Sequence, residues 1–103
     1  MRRKVKKVID GDTFQTYRKV GGSNRVRLAG YNAAEKGTRA GRTATNKLRG
    51  LIGGRTVTVK PVGRSYGRTV ANVYSRRKNV SKRLRNNNKI EEPKIGMYRR
   101  LSK

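Results

Sequence analysis

The chain has 103 residues, of which 29 are Lys or Arg and five are Asp or Glu, giving a formal charge of +24 at pH 7. Self-repulsion on that scale is relieved by a polyanion, so nucleic acid is the expected partner. Cys and His are both absent, which excludes disulfides, thiolate metal sites and imidazole chemistry.

Residues Lys4 to Ile9 are β-branched at intervals, Asp10-Gly11-Asp12 signals a turn, and Thr13 to Val20 alternates as a returning strand. The chain therefore opens on a hairpin. After a turn over Gly21 to Asn24, Arg25 to Ala29 predicts a third strand, with Val26 and Leu28 on one face and Arg25, Arg27 and Ala29 on the other.

The period then changes. Ala40, Ala44, Leu48, Leu51 and Ile52 recur at helical spacing between Thr38, a fitting N-cap, and the Gly53-Gly54 stop. Arg55 to Pro61 and Thr69 to Tyr74 return to alternation through Val57, Val59, Val70 and Val73, around a turn over Gly63 to Gly67. Asn79 to Asn86 predicts a short second helix carrying Val80 and Leu84. Residues 89–103, rich in Lys and Arg and broken by Pro93, read as a mobile basic tail.

Three strands, a helix, two strands and a helix is the order of a mainly β protein with helices, a five-stranded Greek-key barrel of the OB-fold type plus two helices. One domain is expected over residues 1–88. With 32% hydrophobic residues, one Phe and no Trp, its core must be thin and aliphatic.

Three of the scarce acids fall in short motifs: Val8-Ile9-Asp10-Gly11-Asp12-Thr13, then Arg27-Leu28-Ala29-Gly30-Tyr31-Asn32-Ala33-Ala34-Glu35, followed by Tyr66-Gly67-Arg68. In order and spacing these motifs resemble the staphylococcal-nuclease-like (thermonuclease) family, over about residues 4–86. The resemblance implies an OB-fold, Ca2+-dependent phosphodiesterase acting on DNA and RNA. It maps calcium binding onto Asp12, with Asp10 supporting it from behind, water activation onto Glu35, and phosphate binding onto Arg27 and Arg68.

Residue chemistry agrees with those roles. Water attacking a phosphodiester builds negative charge on the equatorial oxygens, which a divalent cation and planar guanidinium forks stabilise. A carboxylate can serve as base where histidine is missing.

The chain departs from the family where a second calcium-binding aspartate is usual, since it carries Asn32 and Ala33 there. Asn32 offers a neutral amide oxygen and Ala33 its backbone carbonyl, so metal binding is expected to be weaker. Each residue also has a plainer use. Asp10 and Asp12 suit an Asx turn, Arg27 and Arg68 are two of 29 basic residues, and Glu35 has Lys36 and Arg39 as salt-bridge partners.

Tyr66 is expected to stack on a base, while Lys4, Lys6, Lys7, Arg76 and Arg77 contact phosphates. The expected function is a metal-dependent nuclease of low sequence selectivity acting on DNA and/or RNA. A catalytically weakened barrel that coats nucleic acid is the alternative. A monomer is expected, with no protein partner and no membrane association, because no run approaches the about 18 apolar residues of a spanning helix. The N-terminus has no apolar secretory segment, which points to the cytoplasm or nucleoid unless a processed form is exported.

Overall fold

The computed structural model describes residues 1–91, with side chains for residues 1–85. Its elements follow the expected order with one short strand added before the last helix: β1 (Arg2–Asp10), β2 (Thr13–Val20), β3 (Ser23–Leu28), α1 (Arg39–Ile52), β4 (Thr56–Ser65), β5 (Arg68–Ser75), the unexpected two-residue β6 (Lys78–Asn79) and α2 (Val80–Glu91). Neighbouring strands run β3-β2-β1-β4-β5-β6, and β3 also pairs in parallel with β5. That extra pairing closes β1 to β5 into a five-stranded barrel, OB-fold-like and flanked by two helices.

Alternation fills the barrel. Val5, Val8, Phe14, Val20, Val26, Leu28, Val57, Val59, Ala71 and Val73 point inward, and Leu48, Ile52, Val80 and Leu84 from the helices join the same core. Phe14, the one phenylalanine, is fully buried. Its large apolar surface compensates partly for a core otherwise built of small aliphatic residues.

Thr38 caps α1 as expected, its Oγ1 accepting from the Gly41 amide at 2.9 Å. The inward face of α1 is Gly41, Ala44, Leu48 and Ile52, whereas Ala40, expected on that face, is exposed. The reason is steric. A Cβ on Gly41 would collide with the Glu35 carbonyl oxygen, so the first turn packs through a residue without a side chain.

Two further differences concern β4 and the C-terminal end. β4 continues past Pro61 to Ser65, with a register shift between Pro61 and Gly63, which is where a strand accommodates a proline that cannot donate to the ladder. The turn that follows is Tyr66-Gly67 alone, both residues at positive φ. Helix α2 runs to Glu91, so residues 89–91 continue it, and the rest of the tail expected over 89–103 lies outside the described residues. Among the described residues no helix is long and apolar enough to cross a membrane.

Candidate phosphodiester site

Four separate segments meet beside the β1–β2 turn: the turn itself, the end of β3, the loop after β3 and the start of β5. Backbone bonds fasten them. The Leu28 amide donates to the Asp12 carbonyl at 2.9 Å, and the Ala29 amide donates to Ala71 at 2.8 Å. Thr13 faces Arg27 in the β2–β3 register, and Arg27 faces Val70 in the parallel β3–β5 pairing. Barrel closure thus brings Asp12, Arg27 and the first residues of β5 to one rim.

Gly11 lets the turn approach this closely. Its φ is not in the left-handed region, but a Cβ there would lie 2.6 Å from the Cβ atoms of both Ala33 and Ala44. The glycine of Asp-Gly-Asp is therefore a packing residue, against which the loop after β3 and helix α1 both rest.

Asp12 is the hub. Its Oδ1 accepts from Thr13 Oγ1 at 3.0 Å, and its Oδ2 accepts from the Ala33 amide at 3.2 Å and faces Arg27 Nη2 at 3.5 Å. The Arg27–Asp12 contact is the one ion pair found among the described residues. Arg27 Nη2 also donates to the side-chain oxygen of Asn32, and its Nη1 donates to the Leu28 carbonyl at 3.2 Å.

Arg68 joins through Thr13. Its Nη1 donates to Thr13 Oγ1 at 3.2 Å, while its Nε reaches the Ser65 carbonyl at 3.4 Å. The Thr13 hydroxyl therefore links the Asp12 carboxylate to the Arg68 guanidinium, a role that composition and motif matching did not assign to it. A local clue existed, since Thr13 begins β2 directly after Asp12.

Asp10 forms the Asx turn that its sequence allows, its Oδ1 accepting from the Asp12 amide at 3.2 Å. Burial pushes its carboxyl above the ordinary value of 3.8, and the neighbouring Asp12 side chain pushes in the same direction. The carboxylate of Glu35 is exposed and makes no hydrogen bond or ion pair among the described residues. Its backbone, by contrast, is held, with the carbonyl accepting from Thr38 Oγ1 at 2.7 Å. Two residues of chain, at most about 7 Å of backbone, separate Glu35 from Ala33 on Asp12.

Of the residues expected to bind, Tyr66 is 95% exposed at the tip of the β4–β5 hairpin. Lys4, Lys6, Lys7, Arg76 and Arg77 are exposed as well, outside the Asp12 network. Lys6 lies over the Tyr17 ring at 5.9 Å from its centroid. A cleft of about 410 Å³ between Asn32 and helix α1, lined also by Tyr31, Arg39, Thr43 and Lys47, adjoins the network. Of these helix residues Arg39 was the expected salt-bridge partner of Glu35, but no such bridge forms among the described residues.

A hard cation would need converging oxygens. Among the described residues no group of three or more acidic, His or Cys side chains could hold one together. Two oxygens, Asp12 Oδ2 and Asn32 Oδ1, nonetheless converge on a single cationic nitrogen of Arg27. That locus favours positive charge, and the donor set fits a cation held by one formal charge and completed by water. The Ala33 amide, rather than its carbonyl, is the group facing Asp12.

No protein-family model matches the chain, and no curated protein matches it.

Proposed function

We propose that this protein is a nuclease that hydrolyses phosphodiester bonds of DNA or RNA with low sequence selectivity. The observation that carries the reading is the linkage of two arginines to one aspartate, Arg27 directly and Arg68 through Thr13, in a chain with five acids among 29 bases. A surface that only needed to be sticky would have no use for a carboxylate at the centre of its arginines.

Arg27 and Arg68 supply planar N–H forks for the non-bridging phosphate oxygens, where lysine would offer a point charge without bidentate geometry. Asp12 and the Thr13 hydroxyl hold those guanidinium groups at the rim before substrate arrives, which lowers the cost of ordering them on binding. Glu35, exposed and without a side-chain partner among the described residues, accepts the proton of the attacking water. A divalent cation held by Asp12 and Asn32 would supply Lewis-acid polarisation of a phosphate oxygen and a more acidic bound water.

One observation favours a second reading. Arg27 already occupies both Asp12 Oδ2 and Asn32 Oδ1, which suits a barrel that binds and coats nucleic acid without cutting it. The two readings separate in one experiment, in which single-stranded DNA is incubated with the protein in calcium and in chelator, beside a Glu35→Gln variant. Calcium-dependent cleavage that the variant loses by about a hundredfold to ten-thousandfold supports the nuclease. Tight binding without cleavage in calcium, magnesium or manganese supports the coating protein.

A further inference from the structure

Resting on the nucleic-acid reading above, we propose that the outer face of β4 and β5 is a second phosphodiester-binding subsite, separate from the Asp12 rim. Arg68 stands at the rim end of β5, whereas the hairpin residues Arg76 and Arg77 follow its other end at Ser75. Seven residues of strand lie between, a span of about 23 Å at the usual rise. A duplex needs about seven base pairs to cover it.

Three features at that far end point to an anionic strand. The first is a shallow groove of about 520 Å³ into which Arg2, Arg55, Arg76 and Arg77 all project, with Tyr74 on its wall. Among the described residues no acid lines it. Four guanidinium groups gathered without a counter-charge repel one another, and a polyphosphate is the partner that relieves this.

The second is backbone conformation. Arg76 and Arg77 form a two-residue hairpin loop with φ of 54° and 68°, a geometry that Asn-Gly adopts with less strain. Arginine at both positions costs stability, which is accounted for if the two side chains bind something. The third is the row that leads from the groove. Arg2, Thr58 and Tyr74 are cross-strand neighbours, and Lys60 lies over the Tyr74 ring at 5.3 Å. An aromatic ring flanked by cations is a platform on which bases stack while phosphates are neutralised.

The test is equilibrium binding in chelator, so that cleavage plays no part, using a duplex of about 20 base pairs across a salt series. The variant Arg76→Asn/Arg77→Gly removes two charges from a turn that it relaxes. It should melt several degrees higher, bind the duplex about ten- to a hundredfold more weakly near 0.1 M salt, and lower the salt slope by about 1.8. Arg2→Gln/Arg55→Gln, which leaves the hairpin intact, should lower affinity and slope in the same way.

Cleavage of a tetranucleotide, too short to reach both places, should be unchanged in Arg2→Gln/Arg55→Gln. Wild-type affinity and slope for the duplex in both variants would overturn the subsite. So would loss of binding to phosphatidylserine vesicles with DNA binding intact, which would make the face a membrane surface. Because the binding arm needs no catalysis, a protein that never cuts still reports on it.

Discussion

Arg27 Nη2 donates to the side-chain oxygen of Asn32 while standing 3.5 Å from Asp12 Oδ2. One guanidinium thus bridges the β1–β2 turn and the loop after β3, and it sits where a cation ligated by those oxygens would sit. Asn32→Asp adds a full negative charge to that locus. Two unit charges about 4 Å apart interact by roughly 1–4 kcal/mol at surface-like dielectric, and a divalent ion by more. Calcium affinity measured by titration calorimetry should rise about tenfold or further. Equal affinities in the two proteins would exclude residue 32 as a ligand.

Thr13 carries a different prediction. Replacing it with valine keeps the β-branched shape but removes the hydroxyl between Asp12 and Arg68. Among the described residues Arg68 then keeps the weaker 3.4 Å contact to Ser65. The catalytic efficiency kcat/KM should fall about tenfold, equivalent to about 1.4 kcal/mol of transition-state stabilisation. An unchanged value would mean that the hydroxyl link has no part in positioning the arginine.

Gly11→Ala tests packing and site together. The added methyl would lie 2.6 Å from the Cβ atoms of Ala33 and Ala44, and overpacking of this kind costs about 1–3 kcal/mol. Each kcal/mol lowers the melting temperature of a domain this size by about 4–8 °C. Because Ala33 must move, its amide should leave Asp12 Oδ2, and cleavage should drop even below the melting transition. A variant that melts lower but cuts at the wild-type rate would separate the two roles of this glycine.

Asp10 predicts a pH dependence. Burial, reinforced by Asp12, raises its carboxyl above the ordinary value of 3.8, so the folded state holds the proton more tightly than the unfolded chain. Ionising Asp10 therefore opposes folding, fully above its folded value, and this penalty fades as pH falls through that value toward 3.8. Asp10→Asn keeps an oxygen for the Asp12 amide and removes the charge. It should be the more stable protein in denaturant unfolding at pH 7, with the advantage shrinking at pH 3.5. Lower stability of the variant at pH 7 would show that the ionised carboxylate helps the fold.

Local architecture was legible from the order of residues. Strand β2 begins and ends where alternation placed it, Thr38 caps α1, and Gly53-Gly54 ends it, because hydrophobic period and capping chemistry act over a few residues. The resemblance of the chain's motifs to the staphylococcal-nuclease-like family also implied that Asp12, Arg27 and Arg68 share one place. How they meet is a property of the folded barrel. The Thr13 bridge, the grip of Arg27 on Asn32 and the need for bare backbone at Gly11 and Gly41 depend on the parallel β3–β5 closure and on α1 docking against the loop after β3. Those contacts join residues up to 55 positions apart, and no local pattern encodes which side chain lies across a barrel rim. The Arg76-Arg77 hairpin was hidden for the opposite reason, since its residues are the wrong ones for the turn that they form.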